Sequence, residues 1–272
     1  MSNSFVSLQN VSLAYGKTVA VSNLDLNVRK GELIALLGPS GCGKTTTMRA
    51  IAGLMSLHSG SISIDGVDMS RTPANKRGIG LVFQSYALFP HLNAFENVAF
   101  GLRIKKFSTP EITTRVDRGL TMVGLSHLAE RKPEEMSGGQ QQRLSLARSL
   151  VMEPKVLLLD EPLSNLDARL RLEMRTELQR VQRDTGITMI FVTHDQSEAL
   201  ALADRIVLMK NGVIEQLGTP DDLYNRPATA FAADFFGFEN IFKVSHSKII
   251  GPNGDIPIGF AADEGHLAWR PG

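Results

Sequence analysis

The sequence predicts an α/β fold with a largely parallel sheet, and three patterns carry that expectation. Residues 33–37, 156–159 and 189–192 are short, continuously apolar runs, the form taken by strands covered on both faces. Between them apolar residues recur at helical spacing, as in Met48, Ile51, Ala52 and Met55, or Leu170, Met174, Leu178 and Val181. Strands alternating with helices build a layered core. The third pattern is a long interval without strands, between about Asn93 and Pro154, which reads as an inserted helical subdomain.

The remaining elements follow in order. Val19, Val21, Leu24, Leu26 and Val28 nearly alternate with polar residues, and Ile62 and Ile64 lead into Asp65-Gly66, a hairpin-type turn. The first third therefore holds an antiparallel β subdomain. Asn93 with Glu96, and Thr109-Pro110, have the residue types of helix starts. Asn211-Gly212 makes another hairpin turn, Thr219-Pro220 opens a short helix, and residues 237–272 are glycine-rich and strand-like. The expected division is a main domain over residues 1–236 and a small β-rich unit over 237–272.

Composition narrows the class. At 272 residues, with 43% apolar and 21% charged residues, the chain can bury a large core and is not of the disordered type. Lys plus Arg number 29 against 28 Asp plus Glu, a formal charge of +1 that provides no broad field for nucleic acid or acidic lipid. Any anion site must be local. The single cysteine, Cys42, excludes an internal disulfide and a four-cysteine zinc site, which suits a reducing compartment. The start, Met1-Ser2-Asn3-Ser4-Phe5, lacks the pattern of a secretory signal. No apolar run approaches the roughly 20 residues of a membrane helix, so a role at a membrane would need other chains to supply the spans.

Gly38-Pro39-Ser40-Gly41-Cys42-Gly43-Lys44-Thr45 fits the phosphate-binding loop and lies between an apolar strand and an amphipathic helix, the context such a loop requires. Its glycines let backbone N–H groups face a phosphate chain, while Lys44 adds charge and Thr45 a magnesium ligand. Residues 156–159 then deliver Asp160 and Glu161 at the end of an apolar strand. In phosphoryl transfer Asp160 would steady hydrated Mg²⁺ and Glu161 would polarise the attacking water. Standing alone, two such acids would read as a solvated loop. Gln84 and His194 also follow apolar runs, 79–83 and 189–192, so Gly38, Gln84, Asp160 and His194 are expected to meet at the carboxyl edge of the sheet.

Ser137-Gly138-Gly139-Gln140-Gln141, before the helical run Leu144, Ala147, Arg148 and Val151, forms a second capped anion-binding helix start. Because the chain already holds one phosphate cradle, this cap is expected to serve a ligand held elsewhere, on a second copy packed head to tail. A capped surface helix is the alternative.

These motifs, in this order, resemble the nucleotide-binding subunits of ABC transporters, over roughly residues 5–240. The resemblance implies a P-loop (RecA-like) ATPase core with the antiparallel and helical subdomains attached, and a partial C-terminal extension of the TOBE-like type. It implies ATP and Mg²⁺ as ligands. Tyr15 matches the aromatic residue that stacks on adenine, Gly38 to Thr45 the Walker A loop with Thr46 beside it, Gln84 the Q-loop, and Ser137 to Gln141 the signature sequence. Asp160 and Glu161 match Walker B, Ser164-Asn165-Leu166-Asp167 the D-loop, and His194 the switch histidine. Catalytic roles are thus expected at Glu161, His194 and Gln84, and metal contacts at Thr45, Gln84 and Asp160.

A narrower likeness is to the ATPases of binding-protein-dependent importers, carried by residues 84–91, 97–102 and 218–224. It implies a second copy, transmembrane permease subunits and an external solute-binding protein as partners, no nucleic acid, and a peripheral place on the cytoplasmic face of the inner membrane. Met136 stands where that family usually has Leu, a swap of similar volume. The sequence near Trp269-Arg270-Pro271-Gly272 resembles the middle of the group's longer C-terminal region. Repair ATPases place a long coiled coil before the signature, and no sustained heptads occur here; a small-molecule kinase would lack Ser137 to Gln141 altogether.

Overall fold

The computed structural model describes residues 4–246, 248–250, 256–257 and 264–269. Met1, Ser2 and Asn3 at the start, and Arg270, Pro271 and Gly272 at the end, lie outside the described residues. The chain begins with two long antiparallel strands, β1 (Ser4–Tyr15) and β2 (Thr18–Arg29). It then enters β3 (Leu33–Leu37), the phosphate-type loop and helix α1 (Lys44–Ala52). Strands β4 (Ser59–Ile64) and β5 (Val67–Asp68), joined by Asp65-Gly66, complete a four-stranded antiparallel sheet in the order β2-β1-β4-β5. Met55, expected on the helix face, falls beyond its end, because Gly53 takes a left-handed conformation and stops α1 at Ala52.

After β6 (Ile79–Val82) come three helices with no strand between them: α2 (Ala94–Ile104), α3 (Thr109–Met122) and α4 (Gly138–Leu150). Asn93 caps α2 by accepting from the Glu96 N–H, as its residue type predicts. The chain returns through β7 (Val156–Asp160), α5 (Ala168–Thr185), β8 (Thr188–Val192), α6 (Gln196–Leu202), β9 (Arg205–Lys210) and β10 (Val213–Gly218). These strands form a six-stranded sheet ordered β10-β9-β3-β8-β7-β6, parallel except for the β9/β10 hairpin at Asn211-Gly212. Two short helices follow, α7 (Pro220–Asn225), capped by Thr219, and α8 (Ala230–Phe235). Strands β11 (Asn240–Ser245), β12 (Lys248–Ile249), β13 (Ile256–Pro257) and β14 (Glu264–Trp269) make a separate antiparallel sheet.

The continuously apolar strands are apolar because both faces are covered, and alternate residues serve different cores. Leu33, Ala35 and Leu37 join Leu157, Leu159, Met189 and Phe191 in a core shared with α2 to α5. Ile34, Leu36, Leu158, Ile190 and Val192 join the other, beneath α1 and the antiparallel sheet. Each fully buried side chain of this kind contributes about 1.5–3 kcal/mol relative to exposure. Strands fixed on both faces make a rigid platform, and the loops at their carboxyl ends inherit that rigidity. Among the described residues no helix is long and apolar enough to cross a membrane.

Candidate active site

The loop after β3 curls because three of its glycines occupy positive φ. Gly38 could not be any other residue: a Cβ there would stand 2.2 Å from the Met209 carbonyl oxygen, and φ is +145°. The curl places Lys44 at the start of α1, buried, with Nζ donating to the carbonyls of Gly38 at 2.7 Å and Pro39 at 2.9 Å, and 3.8 Å from Cys42 Sγ. Ser40 and Gly41 stay exposed on the outer rim, while Cys42 and Gly43 are buried beneath it. Thr46 sits in the first turn of α1, its hydroxyl 3.4 Å from that of Tyr15. Tyr15 is 53% exposed, so its ring stands free beside the phosphate loop rather than in the strand core.

The two carboxylates at the end of β7 have different surroundings. Asp160 Oδ1 accepts from Thr45 Oγ1 at 3.4 Å. Burial, and then the neighbouring charge of Glu161, hold the Asp160 carboxyl above the ordinary carboxylate range, against the opposing effects of Thr45 and Arg49. Glu161 is held from two sides: Gln84 Nε2 donates to Oε2 at 3.1 Å, and His194 Nδ1 lies 3.2 Å from Oε1. Its backbone has φ +45°, in the left-handed region, although the next residue is proline and favours an extended predecessor. Such a backbone costs about 1–3 kcal/mol and persists only when its surroundings over-determine it. Here Glu161 N donates to Val192 O at 3.0 Å, and Ser164 Oγ donates back to Glu161 O at 3.0 Å.

Gly38, Gln84, Asp160 and His194 thus all leave neighbouring parallel strands at one edge, as expected, with Gln84, Glu161 and His194 joined directly. The Gln84 loop is also tied to the segment after Glu161: Gln84 Nε2 reaches Ser164 Oγ at 3.2 Å and Asn165 Nδ2 donates to Gln84 O at 3.0 Å. Thr45 and Asp160 together offer only hard oxygen donors. That set suits Mg²⁺, which keeps several waters and takes one or two protein oxygens plus phosphates. Among the described residues there is no all-protein cluster of His, Cys, Asp or Glu able to hold a metal by itself.

Ser137 caps α4 reciprocally: Gln140 N donates to Ser137 Oγ, and Ser137 N to Gln140 Oε1 at 2.9 Å. Ser137 and Gly138 are exposed, whereas Gly139 is buried against Leu170. Asp167 is exposed and caps α5 by accepting from Leu170 N at 2.9 Å. The structure therefore fits a helix-capping role for Asp167, with the residue exposed at the start of α5.

Several residues that shape the site carry no signal in their own motifs. Ser145 donates to Tyr86 O at 2.9 Å, and Arg148 to Ala87 O at 2.6 Å and Tyr86 O at 3.0 Å. These bonds from α4 hold Tyr86 and Ala87 in positive φ, bending the chain just after Gln84. Gln142, also on α4, donates to Pro162 O beside Glu161. Behind His194, Thr193 Oγ1 donates to the buried Glu198 at 2.6 Å, and Arg171 Nε lies 3.6 Å from the other oxygen of that carboxylate. The one available signal was spacing: Gln142, Ser145, Arg148 and Ser149 share one face of α4.

Comparison with known proteins agrees with this geometry. The family model described as ABC transporter matches residues 21–164. The Fe(3+) ions import ATP-binding protein FbpC of Rhizobium etli is 51% identical over 249 residues, spanning 92% of this chain and 70% of that protein. The spermidine/putrescine import ATP-binding protein PotA of Haemophilus influenzae is 52% identical over 240 residues, 88% of this chain and 64% of that protein. Among solved structures, cbiO1 from Clostridium perfringens, part of the ABC transporter complex cbiONQ, aligns with a TM-score of 0.78 at 33% identity, over 83% of this chain and 92% of that one. The ATP-binding cassette MJ0796, solved as a dimer in a post-hydrolysis state bound to ADP and Pi, aligns with a TM-score of 0.70 at 34% identity, over 79% and 98%. Identity at this level across most of the chain, together with the family match, makes it a member of the ABC transporter family: an ATP-binding cassette that hydrolyses ATP.

Proposed function

We propose that this chain energises solute import, as two copies that close head to tail on two ATP molecules beneath transmembrane permease subunits. Residues 1–236 are the nucleotide-binding domain, with the helical subdomain at about 93–154, and 237–272 belong to a C-terminal β-rich extension. The chain works on the cytoplasmic face of the inner membrane, held there by the permease, which an external solute-binding protein supplies. Relatives named for ferric iron and for polyamines share this cassette, so solute choice is assigned to the partner subunits.

In this reading Tyr15 stacks on the adenine, the backbone of Gly38 to Gly43 with Lys44, Thr45 and Thr46 cradles the phosphates, and Thr45, Asp160 and Gln84 surround the cation. Mg²⁺, when bound, neutralises developing phosphate charge. Glu161 accepts a proton from the attacking water, His194 and Gln84 hold its carboxylate in place, and Ser137 to Gln140 with Asp167 complete the pocket of the other copy. ATP favours the closed pair because its γ-phosphate adds contacts across the dimer that ADP lacks, which is the differential affinity any ligand-driven closure needs.

The observation that carries this reading is the Glu161 carboxylate, fixed between Gln84 and His194, while the exposed cap at Ser137 starts a different helix from the one that follows the phosphate loop. The test is Glu161→Gln. It is expected to lower turnover by at least about 10²-fold, the scale of a positioned general base, and to leave ATP-loaded dimers that persist on a sizing column. Wild-type turnover, or a strictly monomeric ATP-loaded form, would overturn the proposal.

A further inference from the structure

We propose that Gln142 is a positioning residue that links the two ATP sites of the closed pair, carrying the position of the signature helix to the catalytic carboxylate of its own chain. This rests on the head-to-tail reading above, in which the start of α4 meets the nucleotide held by the other copy.

Gln142 lies on the second turn of α4, is 2% exposed, and donates its Nε2 to the carbonyl oxygen of Pro162. Its Oε1 is buried and, among the described residues, has no hydrogen-bond partner. The amide orientation follows from Pro162 O, which only accepts. A buried amide satisfied at one end is a poor device for stability, since the orphaned oxygen loses its water without replacement. The arrangement makes sense as a connection.

What it connects is specific. At one end of α4, the reciprocal Ser137–Gln140 cap fixes the helix start that faces outward. Five residues on, Gln142 grips the carbonyl of the residue that follows Glu161. Glu161 sits in the left-handed region ahead of a proline, so the direction of its carboxylate depends on how the next residues are held. A helix transmits displacement of its first turn as a rigid body. When the other copy's γ-phosphate draws on Ser137, Gln142 moves Pro162, and Pro162 re-aims Glu161. The other α4 bonds, from Ser145 and Arg148, go to the carbonyls of Tyr86 and Ala87, two and three residues past Gln84, the second partner of Glu161. Occupancy of one site thereby sets the geometry of the other.

The test uses the full 272-residue chain carrying Gln142→Met, which keeps length and volume and removes the donor, and Gln142→Asn, which keeps the amide but is one methylene too short to reach Pro162. Both are expected to bind nucleotide within about twofold of wild type. Turnover is expected to fall about tenfold, a change of ~1.4 kcal/mol in barrier. The Hill coefficient for ATP is expected to fall toward about 1, the value for independent sites. Folded variants with wild-type turnover and cooperativity would overturn the proposal. So would slow turnover with undiminished cooperativity, because that would make Gln142 a mere support for the loop. The same substitutions in a Glu161→Gln background separate the two ideas: if dimers form there with ATP, the head-to-tail reading stands whatever Gln142 does, and if none form even with Gln142 intact, that reading fails and takes this one with it.

Discussion

His194 Nδ1 lies 3.2 Å from Glu161 Oε1, and the other oxygen of the same carboxylate accepts from Gln84 Nε2 at 3.1 Å. Three parallel strands thus each supply one member of a single cluster: β6 precedes Gln84, β7 ends just before Glu161, and β8 precedes His194. A carboxylate anchored at both oxygens is pre-aimed, and an enzyme gains from that because no reorganisation is needed when the water gives up its proton and attacks.

His194→Ala removes one anchor without touching the phosphate loop. Turnover is expected to fall about 10²-fold, the scale for losing one positioned polar group, while nucleotide affinity stays within about twofold, since Lys44, Thr45 and the backbone of the loop are unaltered. Steady-state ATPase assays alongside nucleotide titration separate the two quantities. An affinity loss that accounts for the whole defect would mean that His194 serves binding and not the carboxylate.

The strands, the phosphate loop and the helix caps at Asn93, Ser137 and Thr219 were legible because each depends on local chemistry. A strand covered on both faces has to be continuously apolar, and a cap needs its side chain within three residues of its N–H target. What stayed hidden depends on distant parts of the chain meeting. Gln140, Gln141, Gln142 and Arg143 are four consecutive polar residues, yet only Gln142 among them is buried, with its amide on the Pro162 carbonyl. Positive φ at Tyr86, Ala87 and Glu161 carried no glycine to announce it, since the strain is held by bonds from Arg148, Ser145 and Ser164. Met55 had the right spacing for α1 and missed it by one turn, because Gly53 ended the helix first.

Asp160 makes a prediction about pH. Burial raises its carboxyl above the ordinary value of 3.8, so the folded state favours the protonated form. That preference is fully present below the ordinary value and is lost as pH rises through the folded-state pKa, so at neutral pH the ionised group works against the nucleotide-free fold. Asp160→Asn should therefore melt at a higher temperature than the parent at pH 7 without nucleotide, with the gap closing as pH falls. Adding ATP with Mg²⁺ should reverse the order, because the cation restores value to the charge. Calorimetry across a pH series checks both halves. An Asp160→Asn protein that is less stable at pH 7 without nucleotide would show that the carboxylate is well paired instead.

Glu198 raises the matter of why a charge is buried behind the switch loop at all. It is 3% exposed, and burial holds its carboxyl above the ordinary range, opposed mainly by the Thr193 hydroxyl donating at 2.6 Å. Arg171, 3.6 Å away, also donates through Nη2 to Leu166 O at 3.2 Å, so the pair bridges the loop carrying His194 to the segment ending at Asp167. Glu198→Gln keeps an acceptor for Thr193 and removes the charge. Glu198→Ala strips both neighbours. Breaking a fully buried pair costs about 3–5 kcal/mol, and solvent access to the one-third-exposed Arg171 side chain should reduce that to about 2 kcal/mol for Glu198→Ala. The Gln variant should shift stability by no more than about 1 kcal/mol, the worth of a typical hydrogen bond, because losing the Arg171 contact is offset by removing a charge that burial disfavours. Urea unfolding gives these differences. If stability alone is involved, turnover in the Gln variant should match wild type; if the pair aligns the two loops, turnover should drop in Glu198→Gln and in Arg171→Gln alike, with the double variant no slower than either single one. Additive losses in the double variant would mean that the two residues act separately and that the bridge carries no alignment between the loops.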